Sequence, residues 1–310
     1  MQDMFVSLQQ FEESYIRFSA FEESFRHIGN AIQTYRQTGV VQNLRILGES
    51  GTGKTTLCKL IKKEYPRQVL IEQDIVPVLI VPIPSNPSIM SLIESIFNEL
   101  EYPIEIKGNI PAKMRTLIKI CKEVKLEMIV FDEAQHLRDR GQSKTHHMVA
   151  DWLKTLMDAL QIPFVMLGLP NLEKLLQSNE QLRRRYSQKI YLALGQTAGI
   201  SVESECGQLF QSLAEDLPIP FRLNEIAWHD FTVRLYYACD GRIAYLKKLM
   251  FAALHIAMDA KLSEITIHEF KLAFKHLIWW EADGALNPFS VEFEFRRLDR
   301  AAEPFEKDQS

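Results

Sequence analysis

Cysteine is scarce and scattered. The four residues, Cys58, Cys121, Cys206 and Cys239, lie far apart and form no CxxC pair. That argues against a zinc site or a disulfide framework, and for a reducing compartment. A basic excess is missing as well: 36 Lys and Arg against 40 Asp and Glu leave a net charge of −4. Without a global positive field, contact with nucleic acid has to come from a local stripe or from many subunits acting together. Long apolar runs are absent too. The richest, VPVLIVPIP, falls far short of the ~18 residues that a bilayer span requires. The opening MQDMFVSLQQFEES has no basic start leading into an apolar stretch, so it does not read as a signal peptide. The expectation is a soluble, cytoplasmic protein with no membrane partner.

What is present is globular material, 46% hydrophobic and 25% charged over 310 residues, enough for one large or two modest domains. Residues 1–43 have helical spacing and form the expected N-terminal helical extension; FEES occurs in them twice, with nothing around it repeating. Five short apolar runs follow: LRIL (44–47), VPVLIVPI (76–83), LEMIVF (126–131), FVMLGL (164–169) and KIYLAL (189–194). Between them lie segments of helical spacing, one opened by PSNPS, one at roughly 111–124 and one at 148–160. Strands alternating with helices in this order predict an α/β core over 44–200, with a five-stranded parallel sheet covered on both faces. Beyond about 200 the strands stop. Segments 203–215, 228–239, 242–259 and 267–278 are helical, the last opened by a capping box from Thr266 to Glu269. They predict a C-terminal helical lid over 201–280, followed by an extended polar tail, 281–310, broken by Pro288 and Pro304.

The most informative stretch is GESGTGKT, residues 48–55, which matches G-x-x-x-x-G-K-[ST] in full between a strand and a helix. In such a loop Gly48, Glu49, Ser50, Gly51, Thr52 and Gly53 supply backbone, and the glycines let N–H groups turn inward onto phosphates. Lys54 reaches the β and γ phosphates, the Thr55 hydroxyl ligates Mg²⁺, and the helix carrying Thr55 and Thr56 adds its positive N-terminal dipole. The partner motif, LEMIVFDE, ends in two carboxylates just past a strand. Asp132 is placed to hold the Mg²⁺ shell and Glu133 to act as general base on the attacking water. Lys54 and Asp132 are 78 residues apart, room for an additional strand, which VPVLIVPI supplies. This points to a P-loop ATPase with a catalytic glutamate, with ATP and Mg²⁺ as cofactors. His136 completes DEAQH, which superficially echoes a helicase motif, but such helicases need a second motor domain and the residues beyond 200 read as a helical lid instead. His136, His146 and His147 read as packing or surface residues without metal-ligand spacing.

Taken in order, GESGTGKTT, VPVLIVPIP, VFDEAQHL and GLPNLEKLLQSNEQLRRRY resemble the TnsC/TniB family of AAA+ transposition regulators, over about residues 15 to 278. The resemblance is closest to versions from transposons with a TniQ-type target selector, including CRISPR-associated ones. The first and third motifs are shared by many AAA+ ATPases; the arginine-containing stretch is more discriminating. The resemblance implies an ATPase that forms a homo-oligomer, a ring or helical filament, on double-stranded DNA. It would receive a signal from the selector, recruit the transposase, and use hydrolysis to control disassembly. It also implies that Arg185 is an arginine finger for the nucleotide of a neighbouring subunit, with Arg183 and Arg184 either sharing that role or forming a solvated face. Two departures bear on the rate. The fourth strand ends Leu167-Gly168-Leu169 without the polar residue of AAA+ relatives, Asn171 being the nearest. The lid position three after Gly241 is Ala244 rather than arginine, with Arg242 or Lys247 as substitutes.

For DNA contact the same resemblance points to Lys107, Lys113, Arg115 and Lys119, ahead of the acidic strand. LNPFSVEFEF (286–295) alternates apolar and charged residues and offers either a strand for a partner or a packing tail. Two other classes stay open: an initiator or helicase loader, which calls for a winged helix after the lid where about 30 residues remain, and a signalling or secretion ATPase that ignores DNA.

Overall fold

The structure is a computed structural model describing residues 18–102, 108–138, 143–178, 180–196, 199–215, 217–223 and 226–306. The chain divides into two compact units. The first takes Phe21–Ser50 and Lys54–Leu192; the second includes Gly51–Gly53 and Ala193–Ser310.

Each apolar run predicted as a strand forms one. In the first unit β1 (Leu44–Leu47), β4 (Val78–Pro82), β5 (Met128–Asp132), β6 (Phe164–Gly168) and β7 (Gln188–Tyr191) build one sheet in the order β4-β5-β6-β1-β7. Every pairing is parallel, for example Leu44 opposite Val165, Val78 opposite Met128 and Leu44 opposite Gln188. All of β6 and the first four residues of β4 and β5 are buried. Burial on both faces is why these strands are continuous apolar runs rather than alternating ones. The VPVLIVPI run supplies the additional strand expected between Lys54 and Asp132 in the chain, as β4 at the sheet edge, and in space β6 lies between the glycine-loop strand β1 and the acidic strand β5.

Helix α1 (Ser19–Thr38) buries Phe21, Ile28, Ala31 and Ile32. It is tied to the sheet by Arg36 on Glu127 at 2.6 Å and by a 2.6 Å contact between His27 and Gln188. It ends at Thr38, with the Gly39 N–H on the Tyr35 carbonyl, so the helical spacing read to 43 overruns by one short connector. Helix α2 (Lys54–Glu64) follows the glycine loop. A small antiparallel hairpin, β2 (Gln68–Val69) with β3 (Asp74–Ile75), comes next and was not foreseen, since two-residue strands carry no periodicity. Helix α3 (Ile89–Glu99) starts at PSNPS because Ser88 and Ser91 cap each other reciprocally. Helix α4 (Ile110–Glu123) starts with Asn109 accepting from the Ala112 N–H at 3.1 Å. Helix α5 (Ser143–Leu160) leads into β6, and α6 (Leu172–Ser178) and α7 (Glu180–Arg185) lead from it to β7.

The second unit is helical: α8 (Val202–Ala214), α9 (Trp228–Cys239), α10 (Ile243–Asp259) and α11 (Ile267–Ala273). The foreseen Thr266–Glu269 capping box opens α11, the Thr266 N–H donating to Glu269 at 2.8 Å. The helix then widens into a π turn, Phe274–Ile278. Phe210, Phe221, Phe231, Phe270 and Phe289 form a ring cluster at its centre. The segment read as an extended tail is irregular in backbone but packed: Asn287, Phe289, Phe293, Leu298 and Phe305 are buried. Arg234 donates to the carbonyls of Pro288 and Ser290 at 2.7 and 2.6 Å, and Arg297 makes a forked pair with Asp240 at 2.6 and 2.7 Å. LNPFSVEFEF forms no strand; Phe289 and Phe293 are buried in the unit while Phe295 stays exposed, an arrangement closer to a packing tail.

Candidate nucleotide site

The loop between β1 and α2 has the backbone its sequence asks for. Gly51 and Gly53 take φ of +82° and +100°, a region side-chain-bearing residues avoid. The Gly48 N–H donates to the Gly168 carbonyl at 3.0 Å, fixing the loop's start to the end of β6. Lys54 is buried, and its Nζ donates to the Gly48 and Glu49 carbonyls at 2.8 and 2.9 Å. An ammonium has three N–H donors, so one remains. Burial pulls the Lys54 ammonium below its ordinary pKa, against the nearby carboxylates of Glu133, Asp132 and Glu49. Lys54 and the two acids thus share one electrostatic site.

Asp132 ends β5 and Glu133 turns the chain at φ +53° into a short 3₁₀ turn, Ala134–Arg138. Asp132 Oδ1 accepts the Glu133 N–H at 2.8 Å. Burial raises the Asp132 carboxyl above its usual range, partly offset by that hydrogen bond. The Cys58 thiol, one turn along α2 from Lys54, hydrogen-bonds to Asp132 and is itself pushed up, by burial first and by Asp132 second. Glu133 Oε2 accepts from Gln135 Nε2, while Gln135 Oε1 accepts the Leu169 N–H at 3.0 Å. Neither Cys58 nor Gln135 was singled out from the sequence. Cys58 carried one signal, its i+4 spacing from Lys54; Gln135 carried none beyond its place in DEAQ.

These residues fit a magnesium nucleotide. No group of three or more His, Cys, Asp or Glu suited to a metal exists among the described residues. Mg²⁺ asks for less than such a group, one or two protein oxygens plus substrate phosphates and water, and Asp132 at the end of β5 and Thr55 at the start of α2 carry oxygens of that kind.

Arg183, Arg184 and Arg185 sit in the last turn of α7. Arg184 pairs with Glu180 one turn back at 2.6 Å, and Arg185, half-buried, pairs with Asp158 of α5 at 2.7 Å. Tyr186 beside them is wholly buried, its hydroxyl 3.8 Å from Met157 Sδ. Asn171, the nearest polar residue after the end of β6, has its side-chain oxygen buried with no hydrogen-bond partner. In the helical unit Arg242 pairs with Asp240 at 3.4 Å and lies over the Tyr245 and Phe305 rings. Ala244 meets the loop by its backbone, its N–H donating to the Gly51 carbonyl at 3.0 Å. Of the residues considered for DNA, Arg115 and Lys119 are exposed on one face of α4, Lys119 beside Glu123 at 3.6 Å. Lys113 is turned onto Glu94 at 3.5 Å and is mostly covered, and Lys107 lies outside the described residues.

A parallel sheet of this order, with a glycine loop after β1 and paired acids after β5, followed by a helical unit, defines a P-loop protein of the AAA+ ATPase class. Solved structures agree on the fold. The ORC2 protein of Aeropyrum pernix, in ADPNP–ADP complexes, matches with a TM-score of 0.61 at 15% identity, over 88% of this chain and 72% of that one. Cdc6p of Pyrobaculum aerophilum matches with a TM-score of 0.57 at 14% identity, over 85% and 69%. The ORC1 protein of Aeropyrum pernix in complex with DNA gives 0.58 at 14% identity, over 85% and 66%. At such identities the likeness is one of fold. The family described as Bacterial TniB protein matches residues 8–193, and the chain belongs to that family. No curated protein matches the chain. Among the described residues no helix is long and apolar enough to cross a membrane.

Proposed function

We propose that this chain is an ATP-dependent regulator of DNA transposition. ATP-loaded subunits assemble on double-stranded DNA, link a TniQ-type target selector to the transposase, and come apart on hydrolysis. The observation that carries the reading is the buried Lys54 ammonium, held on two loop carbonyls and facing the Asp132 and Glu133 carboxylates, in a chain of the TniB family.

The residues divide the work by their chemistry. The backbone of Gly48–Gly53 wraps the phosphates, and the remaining Lys54 N–H meets a phosphate oxygen. Thr55 and Asp132 would hold Mg²⁺, which would supply positive charge against the phosphates. Thr56 extends the α2 N-terminus whose dipole favours the anion. Glu133 orients the attacking water and accepts its proton. Arg185 supplies the finger to a neighbour's nucleotide. Its pairing with Asp158 keeps the guanidinium solvated by a carboxylate until a phosphate competes for the same fork. Arg115 and Lys119 are the exposed cations available to a DNA backbone, and contacts too few to hold one subunit multiply along an assembly.

Electron microscopy of the protein with a non-hydrolysable ATP analogue tests the scheme. Assemblies whose length follows that of added duplex DNA are expected, with none for Lys54→Ala. Rings that form equally well without DNA, or DNA binding by Lys54→Ala as tight as that of the ATP-loaded protein, would overturn it.

A further inference from the structure

Strand β6 ends in Leu167-Gly168-Leu169, with no polar side chain at its tip, although β5 beside it ends in two carboxylates. The missing polar group arrives from the other strand. Gln135, in the 3₁₀ turn after β5, is only 4% exposed. Its Oε1 accepts the Leu169 N–H at 3.0 Å and its Nε2 donates to Glu133 Oε2. The orientation of the amide is fixed by these partners. Flipped, it would set an NH₂ group against the Leu169 N–H and an oxygen against the Glu133 carboxylate.

Gly168 shows how completely Gln135 fills the place. A Cβ at residue 168 would lie 2.7 Å from Gln135 Oε1, 3.1 Å from the Gln135 nitrogen and 3.3 Å from the Ala134 nitrogen. The volume that a side chain on β6 would use to face the site is therefore already occupied. Meanwhile the Glu133 backbone is set by its own constraint: φ is +53°, and its N–H is held by Asp132 Oδ1 at 2.8 Å. The backbone of the glutamate is pinned from one side and its carboxylate from the other.

We propose that Gln135 is the positioning residue for hydrolysis, linking the end of β6 to the Glu133 carboxylate and standing in for the polar side chain that β6 lacks. The inference rests on the reading of Glu133 as general base. By donating to Oε2, Gln135 fixes the plane of the carboxylate and leaves Oε1 to accept the proton of the attacking water. Since the other end of the amide is anchored on the backbone of β6, any shift of that strand end is transmitted to the base through one side chain.

The test is steady-state ATP hydrolysis by the full chain with duplex DNA, together with the affinity for a fluorescent ATP analogue and thermal melting. Gln135→Ala is expected to lower kcat roughly 10²-fold, the scale of a misplaced catalytic group, while KM and analogue affinity stay within about twofold, since only transition-state interactions are lost. Gln135→Glu keeps the length and the acceptor but loses the donor, and is expected to lose the same activity. Gly168→Ser is expected to lower the melting temperature in the wild-type background, because its Cβ meets Gln135. In the Gln135→Ala background the same change should lower melting less, since only the tight contacts to the Gln135 and Ala134 backbone nitrogens remain, and restore part of kcat. Wild-type kcat in both Gln135→Ala and Gln135→Glu would overturn the proposal, as would additive melting effects of Gly168→Ser and Gln135→Ala. If Gln135→Ala does not fold, Gln135→Glu decides. Hydrolysis by Glu133→Gln at the wild-type rate would remove the general base and the proposal with it. Loss in Glu133→Gln with full activity in Gln135→Ala would overturn the positioning role alone.

Discussion

In the helical unit three arginines are held by anions and carbonyls of their own chain: Arg234 on Pro288 and Ser290, Arg296 on Glu303, Arg297 on Asp240. In the sheet unit the run Arg183–Arg185 lies at the surface of α7, with Arg184 on a carboxylate of its own helix and Arg185 on Asp158, which is itself about half exposed. The residue type is the same and the partners differ. A guanidinium forked onto buried acceptors is a structural clasp. One met by a half-solvated carboxylate keeps a fork that a phosphate can take over.

Removing arginines from either region tests the contrast. The largest effect is expected for Arg185→Ala, which should leave binding of an ATP analogue unchanged and cut assembly-stimulated hydrolysis by about 10³-fold or more, the scale of arginine fingers in other NTPases. Hydrolysis assays with and without DNA check it, and full activity would place Arg185 among the clasps. A smaller effect is expected for Arg297→Ala. Asp240 has a side chain only 3% exposed and would keep only the longer Arg242 contact. The cost is about 2 kcal/mol of stability, read as a fall of roughly 5 °C in melting temperature, with hydrolysis per folded molecule unchanged. The smallest effect concerns acid. The hydrogen bond from Arg296, the largest cause, holds the Glu303 carboxyl below the ordinary glutamate value. A carboxyl depressed by folding adds stability above its unfolded pKa and loses it as pH falls through the folded one. Hydrogen exchange at residues 296–305 should therefore quicken as pH drops below the ordinary carboxylate range, after correction for intrinsic rates. In Arg296→Ala it should already be fast at neutral pH.

How much of this was legible in the sequence follows from where the determining contacts lie. The strands were readable because a parallel strand buried on both faces is a continuous apolar run, as in FVMLG. The glycine loop was readable because its chemistry is confined to eight neighbouring residues. Gln135 was not, since its hydrogen bond to Leu169 spans 34 positions and the clue, a bare glycine at the end of β6, is an absence. The segment after 280 looked solvated because Phe289, Phe293, Leu298 and Phe305 follow no period, their burial set by arginines far away in sequence. The order of strands in the sheet was not legible for a related reason: spatial order in a doubly wound sheet need not follow chain order.

Tyr186 adds a constraint on assembly. Wholly buried next to Arg185 and set against Met157, it makes the root of the neighbouring arginine a fixed post. In the proposed finger role, all of Arg185's travel would have to come from its own side-chain torsions, a tether only a few bonds long. Two subunits joined slightly out of alignment would then hold together yet fall outside its reach. Under that proposal such a short tether would work as a gauge: only correctly spaced neighbours would fire, and a misjoined pair would keep its nucleotide unspent.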